Sequence, residues 1–370
     1  MTKNTLIKFI RLNSLFFCIS CAANAEQHNI LPSTHTAALT TELPEPVSNN
    51  AVAQVKVNNH WYLLSFSGLG QMKGYQDVHN HSYVYDVSKN QWQKKSAVPI
   101  QEPINGLTGR LASVATAIKE VAYVFGGYTV AKDHSEVSVP DVYAYHVLED
   151  KYQALAPMPV PVDDSIALPY KDRYIYLISG WHNDGNVNLV QLYDTKTNQW
   201  QQASPFPGKA VFGHAGGIVD SNVLVCDGVG IDVHLKKRRS YASQTACYRG
   251  EINPQNPAII SWYKVDHPTG ESRYRMAATG LVNVTTNSKE IVFIGGSNNP
   301  YNYNGIGYNG EPSTASNEIW RYSLDSHKWT ITYSKNATMD HRGLLQLDGQ
   351  LVTLGGMGEN QTVLKEINHY

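Results

Sequence analysis

Ala122-Tyr123-Val124-Phe125-Gly126-Gly127 is an apolar run that stops on two glycines. Val292-Phe293-Ile294-Gly295-Gly296 and Val352-Thr353-Leu354-Gly355-Gly356 repeat it. Three looser copies keep the second glycine: Trp61-Tyr62-Leu63-Leu64-Ser65-Phe66-Ser67-Gly68, Tyr176-Leu177-Ile178-Ser179-Gly180 and Val223-Leu224-Val225-Cys226-Asp227-Gly228. The steps between the final glycines are 59, 53, 48, 68 and 60 residues. A period of that size is the mark of a repeat architecture. After each copy comes an aromatic strand, a polar turn and an aromatic residue. Tyr83-Val84-Tyr85-Asp86 leads to Trp92, Leu192-Tyr193-Asp194 to Trp200, and Ile319-Trp320-Arg321-Tyr322 to Trp329. The fourth copy ends at Trp262, and the second has Tyr152 where the Trp would stand.

Each repeat reads as a four-stranded antiparallel unit. The glycines allow close strand approach where a Cβ would clash, and the Trp fills the space between neighbouring sheets. One such sheet cannot bury both faces, so six must close into a ring. The pattern resembles the Kelch β-propeller, and the expected fold is all-β and six-bladed. An ordinary β-sandwich does not account for the spacing. The last repeat ends at Tyr370 after a third strand read over 363–367, without its outer strand. Ala38-Leu39-Thr40-Thr41-Glu42-Leu43-Pro44-Glu45-Pro46 is similar to the outer strand Ala154-Leu155-Ala156-Pro157-Met158-Pro159. The N-terminal strand, residues 36–46, is therefore expected to close the last blade and remove its open edge.

Composition agrees with this architecture. The chain has 370 residues, 42% hydrophobic and 16% charged, which excludes intrinsic disorder. With 30 Lys+Arg against 31 Asp+Glu it carries no basic excess to match a nucleic-acid backbone. Tyr 23, Gly 28 and Trp 7 lean towards strands and tight turns.

The N-terminus reads as a secretory signal. Lys3, Lys8 and Arg11 precede a mostly apolar stretch, Leu12 to Ala22, too short to span a bilayer. Ala23-Asn24-Ala25 supplies the small residues of a cleavage site before Glu26. Residues 1–25 are thus expected to be removed, leaving residues 26–370 as one exported, periplasmic propeller without a membrane span. Lipid anchoring at Cys21 is the second reading. Of four Cys, Cys226 and Cys247 then remain. They fall in adjacent strands of blade four, which brings facing Cα atoms within disulfide range, and an oxidising compartment favours the bond. Two buried free thiols are the alternative.

A propeller binds ligands at the mouth of its channel. Residues following the glycine pairs reach that mouth: Tyr128, Trp181, Val229, Ser297-Asn298-Asn299 and Met357. Residues that open the innermost strands approach the axis: Arg110, Asp163-Asp164, His214, Arg273, Arg275 and His341-Arg342. Converging arginines suit an anion, because a guanidinium grips a carboxylate with two parallel hydrogen bonds. Backbone carbonyls or blade-to-blade carboxylates are the competing partners. The blade-five loop from Ser297 to Glu311 is rich in Asn, Tyr and Gly, as a carbohydrate lid would be. In blade four, Lys236-Lys237-Arg238-Arg239 reads as a solvated hairpin tip, and Asp227 as a hydrogen-bonded replacement for a glycine. No HExxH or GxSxG occurs, and His79-Asn80-His81 reads as a pair within a loop, so no metal or cofactor is expected. Galactose-oxidase-type copper chemistry would need a free Cys for its Cys–Tyr crosslink.

Beyond the repeat, the chain resembles the N-acetylneuraminate epimerase (sialic acid mutarotase) family. The resemblance rests on Leu43-Pro44-Glu45-Pro46, on Gly68-Leu69-Gly70, and on Asn302-Tyr303-Asn304-Gly305 to Tyr308-Asn309-Gly310-Glu311. Arg342-Gly343 ahead of Gly355-Gly356 adds to it. It implies an exported sugar-acid mutarotase that opens and recloses a sugar ring by acid/base chemistry without a cofactor. Where the family carries an acid after blade four's glycine, this chain has Val229. Glu311 and Asp232 are then the candidate catalytic acids. Arg110, Arg275, Arg342, His214, Tyr128, Trp181 and Asn299 are the candidate ligand-binding residues, for a small anionic carbohydrate. The alternative is a non-catalytic Kelch module that binds a glycan or a protein partner.

Overall fold

The computed structural model describes residues 42–235, 239–347 and 349–370, together with Met1. The signal segment, residues 36–41 and Lys236-Lys237-Arg238 lie outside the described residues. Among the described residues, five four-stranded antiparallel sheets and a three-stranded one follow each other. Blade one is Ala51–Val57, His60–Leu69, Val78–Asp86 and Gln91–Lys95. The innermost strands of blades two to six are Val114–Ile118, Ile166–Tyr170, Ala215–Val219, Ala277–Val282 and Leu345–Leu347. Neighbouring inner strands pack against one another from blade to blade. The protein is an all-β, six-bladed Kelch propeller.

The repeat has a backbone cause. The first position of each glycine pair has a positive φ whatever its side chain: Ser67 54°, Gly126 52°, Ser179 55°, Asp227 65°, Gly295 72° and Gly355 64°. The second runs from 80° to 126° and is always glycine. There the chain turns out of the second strand against the backbone leading into the next blade. A Cβ on Gly355 would lie 2.1 Å from the Val47 carbonyl. Asp227 offsets its conformation by accepting the Arg273 N–H at 2.8 Å and pairing with His267 at 2.8 Å. The Trp positions behave as the pattern requires. Trp92, Trp200 and Trp329 face Tyr85, Tyr193 and Tyr322 across the outer strand pairs. Trp200 also reaches Phe125 of blade two, with ring centroids 6.1 Å apart, and its Nε1 donates to Ala156 at 2.9 Å.

Cys226 and Cys247 face each other on the second and third strands of blade four and form a disulfide, with Cα atoms 4.1 Å apart. The third strand of blade six is Ile367–His369, later than the 363–367 read from sequence. Residues 363 and 364 instead fold back on Met357 and Gly356. His79-Asn80-His81, expected in a loop, lies within the strand Val78–Asp86.

Residues 42–47 run along the outside of blade six. Leu43 N–H donates to Lys365 at 2.7 Å and Val47 N–H to Leu364 at 2.9 Å. Leu43 is buried with Leu345, Leu347 and Leu354. We propose that residues 36–46 close the ring. Deleting them removes a buried leucine worth about 1.5–3 kcal/mol and bares a strand edge. A markedly lower melting temperature, or aggregation, is the expected result in a thermal scan. An unchanged melting curve would show closure by other means.

Candidate functional site

The six blades meet at equivalent residues just ahead of each inner strand: Asn49, Ala112, Asp164, Gly213, Arg275 and Asp340. All six have φ between 50° and 68°. Their backbones are sewn together around the axis. Asp164 N–H donates to Ala112 at 3.1 Å, Gly213 to Asp164 at 2.8 Å, Arg275 to Gly213 at 2.7 Å, and His341 to Arg275 at 3.2 Å. Ala112 N–H donates to the Asn49 side chain at 2.8 Å.

Inside this ring sits a buried ionic network. Arg275 Nε donates to Asp164 Oδ2 at 3.0 Å, and Arg275 Nη1 reaches Asp340 Oδ1 at 3.1 Å. Arg342 Nη2 lies 2.9 Å from Asp164 Oδ1 and donates to Asn49 Oδ1 at 2.7 Å. The Arg275 guanidinium also stacks on Tyr274 and Tyr301, at 4.6 and 5.2 Å. Burial opposes the charge on Asp164, yet Arg275 and Arg342 hold its carboxyl below the usual range. Two arginines face two aspartates, so the convergence expected to call for an anionic ligand is neutralised within the protein.

The network separates two cavities, and Asp164 lines both. The larger, about 860 Å³, is the channel between the inner strands. Val52, Ile166 and Ile218 line it together with polar residues such as Gln54, Thr116 and Gln346. The smaller, about 370 Å³, lies on the side of the loops that follow the glycine pairs. Its walls include Tyr128, Trp181, Phe212, Tyr241 and Tyr308. Tyr241 and Tyr308 stack with centroids 4.0 Å apart, and the Arg239 guanidinium lies 4.8 Å over Trp181. Glu136, Asp163, Asp164 and Arg275 supply charge and hydrogen bonding.

Glu136 stands in the short hairpin Tyr128–Val130 and Glu136–Ser138. That hairpin is bolted down from behind. Ser138 Oγ donates to Asp163 Oδ2 at 2.6 Å, and Ser138 N–H donates to Asn183 Oδ1 at 3.1 Å. Glu136 is exposed by surface area at the rim of the smaller cavity, and the protein crowded around it lifts its carboxyl, by desolvation, to about 7. Arg275 opposes the shift, Asp164 adds to it, and Arg239 opposes it again. Asp163 is fully buried, and burial raises it well above the ordinary carboxylate range despite the Ser138 bond. The pocket thus has at its rim a carboxyl raised towards neutrality and, behind it, one whose charged form burial disfavours.

Of the residues expected from sequence, Tyr128, Trp181 and Arg275 line this pocket. Arg342 and His214 line the channel instead. Burial lowers His214 to about 4, and its Nε2 is bonded to Ile178 O at 2.8 Å. Arg110 lines neither cavity. It occupies the place of Arg273, two residues earlier in the frame than Arg275, and its Nη1 donates to Gly109 at 2.8 Å. Asp232 is exposed and paired with Lys209. Asn299 and Glu311 stitch the blade-five loop together, with Asn299 Nδ2 donating to the Glu311 carbonyl at 3.2 Å. The same loop does reach the pocket through Asn302 and Tyr308. Arg239, read as part of a solvated tip, folds back over the mouth. Glu136 carries the one signal that was available: an acid in the excursion after blade two's glycine pair, equivalent to the blade-five loop.

No family model matches the chain. It is 22% identical over 258 residues to mouse Kelch-like protein 15, covering 66% of this chain and 38% of that protein. It is 23% identical over 335 residues to mouse Kelch-like protein 40, covering 88% of this chain and 47% of that protein. The chain therefore spans less than half the length of these relatives. A solved structure described as "Structure of YjhT" superposes with a TM-score of 0.68 at 15% identity, covering 89% of this chain and 96% of that one. These likenesses and the six sheets define the class: a Kelch-repeat β-propeller.

Proposed function

We propose that this propeller is an exported, periplasmic sugar-acid mutarotase, acting on N-acetylneuraminate or a related sugar. The observation that carries the reading is Glu136, a carboxyl raised to about 7 at the rim of a polar pocket of about 370 Å³ that has Tyr128, Trp181, Tyr241 and Tyr308 in its wall. That volume is within the range of small-ligand sites. Aromatic faces stack on sugar rings, and Arg239 is the cation at the mouth that would hold a carboxylate.

In this reading Glu136 takes the proton of the anomeric hydroxyl. The bond between the anomeric carbon and the ring oxygen breaks, its electron pair goes to that oxygen, and a pocket water supplies the proton. A carbonyl forms, the chain rotates, and reclosure returns both protons. No cofactor enters the step. Val229, fully buried in the layer beneath the mouth, favours a second reading, a non-catalytic module that binds a glycan or a protein.

Calorimetric titration with N-acetylneuraminate tests the site. The wild type should bind, and Arg239→Ala should bind about ten- to a hundredfold more weakly, as expected for loss of a charge-assisted hydrogen bond. No heat at millimolar sugar would overturn the proposal. Binding without faster anomer exchange would leave the non-catalytic reading.

A further inference from the structure

A second cluster lies where the closing segment crosses blade one. His79 and His81 are two apart on the strand Val78–Asp86, so their side chains leave on the same face. Their rings stack at 4.4 Å with 17° between planes. Glu45, from the segment that runs along blade six, places Oε1 2.6 Å from His81 Nδ1 and 3.7 Å from His79 Nε2. One donor atom from each residue lies within 4.8 Å of the others. His79 Nε2 is buried and has no hydrogen-bond partner. The Tyr83 hydroxyl hydrogen-bonds the Glu45 carboxylate, holding it in place as an outer partner does at metal sites.

We propose that Glu45, His79 and His81 bind a divalent transition-metal cation of the zinc type. Two imidazole nitrogens and one carboxylate oxygen are a common three-ligand set for zinc, leaving a fourth position for water. Donors around a tetrahedral zinc stand roughly 3.3 Å apart, given bonds of about 2.0–2.1 Å. The two Glu45 separations, 2.6 and 3.7 Å, need shifts of less than an ångström to meet that, and the separation between the imidazole donors, within 4.8 Å, needs about one and a half ångströms at most. Coordination through His79 Nε2 puts the ring proton on Nδ1, which gives up the long 3.3 Å contact from the His81 amide. The ion would fasten the N-terminal segment, packed on the last blade, to the first blade. It would thereby lock the ring at its seam.

The test is titration of tag-free full-length protein with cobalt(II), read by visible ligand-field absorption, followed by displacement with zinc. One equivalent of cobalt should give a tetrahedral spectrum. His79→Ala, His81→Ala and Glu45→Gln should each weaken binding by about tenfold or more, while His369→Ala, on blade six, should not. Zinc should raise the melting temperature of the wild type and leave that of His81→Ala unchanged. Glu45→Gln retains hydrogen-bonding capacity and keeps the test valid if His79→Ala does not fold. No cobalt spectrum from the wild type, or one unaltered in Glu45→Gln and His81→Ala, would overturn the proposal.

Discussion

Arg275→Met is expected to destabilise the propeller by about 3–5 kcal/mol, the usual cost of removing one partner from a buried charge network. Arg275 is 3% exposed and bridges Asp164 and Asp340, themselves 2% and 0% exposed. Without it, Arg342 alone must neutralise both carboxylates. Methionine fills similar volume and is no worse suited than arginine to the φ of 57°, so the backbone contribution should cancel. The measurement is the urea unfolding midpoint. Adding Asp164→Asn should recover part of the loss, because the stranded charge is then removed. A loss below about 1 kcal/mol, the range of exposed pairs, would show that water already screens the network.

The fold was legible because it is written six times. Each glycine at the second pair position answers the same backbone requirement, and each outer-strand aromatic fills the same gap. The disulfide followed from that frame, since strand order puts Cys226 and Cys247 on adjacent strands and the register sets them opposite each other. Blade six was read less well. Its third strand starts at Ile367 because residues 363 and 364 are used against Gly356 and Met357.

The site was legible only in part, for a reason built into the repeat. Six blades offer six equivalent loops, and the pattern does not say which of them line the pocket. It also leaves the local frame open. Arg110, Arg275 and Arg342 all precede inner strands, yet they sit at different offsets from the axial ring, and Arg275 alone belongs to it. Asp340 is the unread partner. Its position beside Asn49 depends on the first and last blades meeting, a contact between residues 291 apart in sequence. Glu45 met His79 and His81 for the same reason. Ring closure brings together what no local spacing can announce.

Glu136→Gln is expected to slow anomer exchange of N-acetylneuraminate by about a hundred- to ten-thousandfold, the usual worth of a general acid–base group. The amide keeps the size and hydrogen-bonding shape of the carboxyl but cannot take a proton. Sugar affinity should therefore stay close to that of the wild type. The pH profile makes the assignment specific. Glu136 titrates at about 7, and the carboxylate is the form that accepts the anomeric proton. In the wild type, kcat/KM should rise as pH increases through about 7 and then level off, and the variant should lack that rise. A purely structural role would lower the rate without moving the profile. Exchange followed by NMR at wild-type speed in the variant would remove Glu136 from the mechanism. Equal and negligible exchange in both, with intact binding, would mean that the pocket holds the sugar and does no chemistry on it.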